Sequence, residues 1–248
     1  MPNYSDVFNA RGSLYNQAMA ICPTARRTER RLLLDRLDPR PGEVVIDAPA
    51  GGGFLAEGLA DRGASVICIE PSPRFAEGIG DRFLTHVCPL TAIALEEETA
   101  DKLGSLAGLH HLADVPGFFR EAYRVLKPGG VIAIADVKRQ TPVAAFLNGP
   151  VDRWCETGHD GRFFDEGEFT AQLAGAGFEA IDERFEQFPW SFHDRTAMRE
   201  FCHRLFAMTR TTPEQVEREL NRLLKTWTDS NGAHMHWSLL YATARKPG

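Results

Sequence analysis

VVIDAPAGGGFLAEGLADRG, residues 44–63, decides how the rest of the chain is read. A short apolar run ends on Asp47, three consecutive glycines follow after Ala48-Pro49-Ala50, and the stretch beyond them reads as a helix. In a strand–turn–helix unit, glycines at the turn let backbone approach a ligand closely, and the first N–H groups of the helix point at it. Gly51, Gly53 and Ala56 fit the spacing G-x-G-x-x-[GA], and Glu70 closes the next apolar run 17 residues after Gly53. An acidic side chain in that place can accept hydrogen bonds from both hydroxyls of a ribose. The expected guest is a nucleoside; the alternative is a tight turn that holds nothing.

Asp47 bears on which nucleoside. A dinucleotide fold usually runs its strand straight into the first glycine, whereas here an acid ends the strand four positions earlier. A carboxylate near that helix end repels a pyrophosphate and welcomes a sulfonium cofactor that carries an ammonium group. The residues favour S-adenosylmethionine over NAD.

The 248 residues, 43% hydrophobic and 25% charged, can bury one large core or two small ones. A formal charge of −6 argues against the extended basic surface that a sequence-independent nucleic-acid binder needs, so no nucleic acid is expected as partner. The apolar runs fall well short of the ~20 residues of a membrane span, and the polar start MPNYSDVFNARG has no signal-peptide core. A cytoplasmic protein without a membrane partner is expected. Cys22, Cys68, Cys88, Cys155 and Cys202 are odd in number, scattered and never in a Cys-x-x-Cys pair, which predicts free thiols.

From about residue 43, short β-like runs alternate with helical ones, the pattern of an α/β parallel sheet. The strand candidates are EVVIDA, SVICIE, the stretch around DKLGSLAGL, GVIAIADV, FEAIDERFEQF and HWSLLYATAR. Residues 1–40 read as helices, an N-terminal lid or support. Residues 41–192 with 229–248 read as the Rossmann-like nucleoside-binding domain. Residues 193–228 read as a helical cap inserted between the last two strands, or as two helices that simply complete the core. The second of them has a clear start at Thr212-Pro213-Glu214-Gln215, an N-cap hydroxyl, a proline at the first helical position and Gln three residues on.

Four stretches resemble the class I S-adenosylmethionine-dependent methyltransferases, in particular the small-molecule group related to quinone-biosynthesis methyltransferases. VVIDAPAGGG is similar to that family's first motif and ICIEPSPRF to its second-strand motif. SLAGLHHL is similar to its fourth-strand segment, which often ends in His-His, and EAYRVLKPGGVIAIAD to its helix, turn and fifth strand. The resemblance implies a seven-stranded, mostly parallel sheet with an antiparallel last strand. It also implies that Asp47, Gly51 and Gly53 floor the methionine part of the cofactor, with Glu70 on the ribose and Pro71 and Ser72 beside the adenine. Ala48 and Ala107 count among the cofactor contacts. Thr91 stands where many relatives have an Asp that binds the adenine amine, which implies a weaker contact there.

Methyl transfer is an in-line displacement that asks for alignment and, with a weakly acidic acceptor, a base; O, N, S and C acceptors all fit that demand. Open α/β sheets bind ligands beyond the carboxyl ends of their strands, which selects Leu109, His110, His111, Asp136 and Lys138. The histidines serve either as base or to position the cofactor, and Asp136 either orients an acceptor or caps a strand end. The segment VDRWCETGHDGRFFD, residues 151–165, offers Trp154, Cys155, His159, Asp160, Arg162 and Phe163 as an acceptor wall, with His159 a second base, or is an exposed loop turning at Asp160-Gly161. Trp190 and His193 are further candidates for that wall. His234 and His236 share a strand face without an evident third ligand, so no metal is expected. The predicted activity is methyl transfer from S-adenosylmethionine to a small-molecule acceptor. The alternatives are a cofactor-dependent reaction without methyl transfer, a non-catalytic binding or partner protein, and an NAD-linked oxidoreductase.

Overall fold

The computed structural model describes residues 4–159 and 161–248; Asp160, singled out above, lies outside the described residues. Two helices, α1 (Tyr4–Ile21) and α2 (Arg27–Leu37), precede the first strand. The alternating unit then runs β1 (Val44–Asp47), α3 (Phe54–Ala60), β2 (Ser65–Ile69), α4 (Pro73–Ala76), β3 (Leu84–His86), β4 (Ala100–Leu106), α5 (Val115–Val125) and β5 (Leu126–Asp136). After it come α6 (Pro142–Phe146), α7 (Asp152–Trp154), α8 (Glu168–Gly175) and β6 (Glu179–Phe192). The chain closes with α9 (Arg195–Leu205), α10 (Pro213–Leu224), β7 (Thr226–Asp229) and β8 (Gly232–Arg245). Among the described residues no helix is long and apolar enough to cross a membrane.

The strands order as β3-β2-β1-β4-β5-β8-β6. The first five are parallel, and β8 runs antiparallel between β5 and β6. The α/β class and the antiparallel last strand are as expected, but the sheet has eight strands and not seven. The additional one is β7, which pairs β8 from Thr226↔Met235 to Asp229↔Gly232. It forms because Asp229 accepts from the Asn231 N–H at 2.7 Å and Gly232 takes φ 126°, turning the chain back on itself.

Side chains on the central strands alternate between the two faces. Val45, Ala133 and Ala135 turn toward α2, whose Leu33, Leu34 and Leu37 complete that core, while Ile46, Ile132 and Ile134 turn toward Phe118, Phe119 and Phe169 of α5 and α8. The helices begin where the sequence supplies side-chain caps: Asp114 accepts from Gly117 N, Asp194 from Ala197 N and Thr212 from Gln215 N. The β6–β8 pairing continues past the end of β5, up to Phe192↔Ala233. On this extension Trp190 stacks on Trp237 with centroids 4.1 Å apart and meets Phe201 of α9 edge-on. That hydrophobic column seats α9 beside the sheet, and α9 in turn supports α1, which lies over the carboxyl ends of the central strands.

Candidate active site

The glycine turn joins β1 to α3. Gly51 (φ 55°) and Gly53 (φ 90°) take left-handed backbone that an L side chain seldom adopts, which is the local reason for glycine at both. Asp47, fully buried at the end of β1, accepts from Ala56 N through Oδ2 at 2.9 Å, while its Oδ1 has no partner. Burial pushes its carboxyl well above the usual carboxylate range. Glu70 accepts from Gly51 N at 2.8 Å and from the Tyr4 hydroxyl at 3.1 Å through Oε2, and from Ser72 N at 2.8 Å through Oε1. Burial outweighs these hydrogen bonds and pushes it up to about 7.

Helix α1 crosses directly over this turn. Phe8 stacks on Phe75 at 4.7 Å, Tyr15 meets Phe75 edge-on at 4.8 Å, and Asn16 donates to Phe75 O at 3.3 Å. Asn16 also sits where a side chain on Gly52 would stand: a Cβ there would lie 2.1 Å from its Oδ1. Between helix and turn is a cavity of about 50 Å³, bordered by Tyr4, Phe8, Asp47, Gly51, Phe54 and Ala107. Tyr4 separates it from a second cavity of about 900 Å³, which extends past Pro71, Leu90 and Thr91 to His110, His111 and His159.

His110 and His111 belong to a 3-10 turn, Leu109–His111, that follows β4. Asp136, at the end of β5, holds this turn: its Oδ2 accepts from Leu109 N (2.8 Å) and His110 N (3.1 Å), and its Oδ1 from Val137 N (2.7 Å). Its Oδ1 is also 2.6 Å from His110 Nδ1. A carboxylate that accepts at every contact requires the hydrogen on Nδ1, which leaves Nε2 bare in the neutral ring. Asn148 does the same for His159. Its Nδ2 donates to Gly161 O and its Oδ1 accepts from Gly161 N, so Oδ1 also accepts from His159 Nδ1 at 2.9 Å. The three imidazoles cluster with centroids 4.1 to 5.5 Å apart, and Phe163 packs on His110 and His159. Burial first, and then the neighbouring imidazoles and the Arg11 guanidinium, hold His111 and His159 well below the ordinary histidine range.

The other predicted residues separate into those beside the cavities and those elsewhere. Ala107, at φ 54°, borders the small cavity, and Pro71, Thr91 and Arg162 border the large one. Ser72 is fully buried and accepts from Phe75 N as the cap of α4, while its hydroxyl donates to Asn9. Ala48 packs into the core beneath the turn. Trp154 is half-buried, with Arg153 over its ring. Two expectations for the acceptor wall are corrected. Trp190 is buried in the hydrophobic column and donates from Nε1 to Glu29 at 2.8 Å, and the His193 side chain is 92% exposed, paired with Asp194. Both follow from β6 running on to Phe192, which carries Trp190 into the core and His193 out at its end. His234 and His236 flank the Trp227 ring, and His234 bonds Ser191 and Asp229. Sequence reasoning missed Tyr4, Arg11 and Asn148. Tyr4 and Arg11 carried a signal only as part of one buried α1 face, and Asn148 carried none.

A family profile described as "Methyltransferase domain" matches residues 46–134, from β1 to β5. The ubiquinone biosynthesis O-methyltransferase of Methylocella silvestris is 34% identical over 163 residues, 60% of this chain and 64% of that protein. The demethylmenaquinone methyltransferase of Corynebacterium urealyticum is 32% identical over 139 residues, 55% of this chain and 60% of that one. The chain thus spans rather less than two thirds of the length of these relatives. Among solved structures, phosphoethanolamine N-methyltransferase 2 of Haemonchus contortus, in complex with phosphomonomethylethanolamine and S-adenosylhomocysteine, superposes with TM-score 0.67 at 15% identity, over all of this chain and 61% of that one. The matched span contains the glycine turn, Glu70 and the two histidines of the 3-10 turn. From β1 to β5 the chain is thus similar to methyltransferase domains, the span that carries the motifs read from the sequence.

Proposed function

We propose that this protein transfers a methyl group from S-adenosylmethionine to a small-molecule acceptor. The observation that carries the reading is the Asp47 Oδ1 atom, buried without a partner on the border of the small cavity. An unsatisfied buried carboxylate oxygen calls for a cationic donor, and the ammonium of the methionine part is one, whereas the pyrophosphate of NAD adds negative charge. Glu70 would hold the ribose, and Pro71 and Thr91 border the space toward which the adenine would extend. The residues fit the cofactor in charge and in hydrogen-bonding capacity. When bound, it supplies a methyl group already activated by a positively charged sulfur.

The chain's own contribution is enclosure, alignment and proton transfer. The bare Nε2 of His110 faces the role of base toward an acceptor hydroxyl, and Asp136 is the positioning residue that fixes the tautomer and supports the imidazolium as it forms. The names of the quinone-pathway relatives and the apolar and aromatic lining by Val7, Leu90 and the histidine rings support a ring-bearing acceptor, such as a quinone precursor, over a nucleic acid. In this reading α1 is a lid and residues 193–228 a cap that braces it, in a cytoplasmic enzyme with free thiols. Calorimetric titration with S-adenosylhomocysteine and then NADH tests the cofactor assignment. Micromolar binding of the first alone is expected; no binding of either removes the enzyme reading.

A further inference from the structure

Arg11 is the one described residue with two buried guanidinium nitrogens, Nε and Nη1, that lack any partner. Its residue is 5% exposed. Nη2 reaches Phe206 O only at 3.5 Å, and the Phe8 ring centroid is 5.8 Å from Cζ, near the outer limit for a cation–π contact. Among the described residues no carboxylate pairs with it. A buried cation without a counter-charge is among the costliest arrangements a fold can carry, and native proteins nearly always pair it. Arg26, on the neighbouring helix, shows the ordinary solution: it is buried too, but held by Glu29 and Tyr15.

The position of Arg11 says where the missing anion belongs. It lies one turn beyond Val7 on the α1 face that also carries Tyr4, and both of those border the large cavity. Its charge bears on His111 and His159, which line the same cavity, and opposes their protonation. Nitrogens of His110, His111 and His159 lie within 4.8 Å of one another, a grouping that elsewhere holds divalent cations. Here the unpaired guanidinium makes a cation the wrong occupant, because it would add like charge to a buried positive centre. Arg11 itself borders neither cavity, but the small one already has a cation of its own in Arg26, whereas the histidines that Arg11 acts on line the large one, which makes the methionine carboxylate the weaker candidate.

We infer that the acceptor presents an oxyanion, a carboxylate or an ionised ring hydroxyl, to Arg11 at the histidine end of the large cavity. The assignment rests on the methyltransferase reading and adds the charge of the substrate to it. Benzoate and its neutral isostere benzamide are suitable probes, titrated into the protein saturated with S-adenosylhomocysteine. The expected result is benzoate binding at least tenfold tighter than benzamide in the wild type. In Arg11→Gln and, independently, Arg11→Met, the two probes should bind within about twofold of each other while the affinity for S-adenosylhomocysteine stays unchanged. Arg11→Met should also unfold at a higher temperature than the wild type without ligands, because it keeps the apolar stem and removes the unpaired charge. Equal binding of the two probes to the wild type, or a preference that survives in both variants, overturns the inference. So does a loss of S-adenosylhomocysteine affinity in the variants, which gives the guanidinium to the cofactor's carboxylate. Failure of the wild type to bind S-adenosylhomocysteine at all strikes the underlying reading instead.

Discussion

Glu70 is the residue at which the proposed cofactor site is most open to measurement. Glu70→Ala should weaken S-adenosylhomocysteine binding by about 1–3 kcal/mol, the cost of removing a buried charged acceptor; unchanged affinity takes Glu70 out of the site. Its titration gives a second handle. With the carboxyl pushed up to about 7, a growing share of the ligand-free protein carries Glu70 protonated as pH falls below that value, and the ribose loses an acceptor. Affinity should therefore fall as pH drops below 7 and level off above it, and Glu70→Gln should flatten that slope, leaving only what the raised carboxyl of Asp47 contributes. A flat wild-type profile between pH 5.5 and 8 would contradict the assignment. Burial shifts His111 and His159 the opposite way, displacing their charge change toward acid. Linkage predicts a matching stability term of a definite sign. Because the folded value lies above that of the unfolded carboxyl, Glu70 favours the native state most below pH 4.5 and loses that contribution as pH rises through 7. At His110 the test is chemical. Asp136→Asn keeps the shape of the pair but not its acceptor-only character, so kcat should drop by about 10²–10⁴ with the affinity for S-adenosylhomocysteine little changed, if His110 is the base.

At the scale of elements, the deciding object is α1. Tyr4 donates to the same Glu70 oxygen that the ribose would use and divides the space into two cavities. The 50 Å³ beside the glycine turn is far below the roughly 300–1,000 Å³ of ordinary ligand pockets, so the phenol and the cofactor compete for one place. Tyr4→Phe removes the hydrogen bond that holds the lid shut, and S-adenosylhomocysteine should bind about tenfold tighter, the equivalent of ~1.4 kcal/mol; weaker binding would instead make Tyr4 a contact of the bound cofactor. The sequence made visible the elements that repeat a period or carry a cap: β1, β2, β4 and β5 as apolar runs, and α10 by its Thr-Pro start. It hid β3 and β7, which have three and four residues, sit at or off the sheet's edge and bury little, so they leave almost no hydrophobic pattern. Asp47 and Glu70 were legible because a strand end fixes where they point. His159 and Asn148 were not legible as a pair, since eleven residues of irregular chain bring them together.

On the scale of the whole molecule, both cavities are bordered by one helix whose own support comes from the far end of the sheet. Asn9 and Asn16 tie α1 to α4, and Arg11 reaches Phe206 just past α9. Helix α9 rests on the β6–β8 extension through Phe201 and Trp190. This linkage makes opening a movement of α1 against two rigid neighbours and leaves the central sheet, with its buried Ile46, Ile132 and Ile134, untouched. Such segments exchange their amide hydrogens through local opening, at a cost well below that of global unfolding. In the ligand-free protein, amides of residues 4–21 should thus exchange much faster than those of β4 and β5. If cofactor binding requires α1 to lift and then reclose over the nucleoside, saturating S-adenosylhomocysteine should slow exchange in α1 and α4 by tenfold or more. Exchange in β4 and β5 should slow only by as much as ligand binding stabilises the whole fold. Equal slowing in every element would mean that α1 is a fixed wall and that the ligand enters by another route. Exchange in α1 that stays fast with ligand bound would mean that the helix closes the empty site only and plays no part in holding the cofactor.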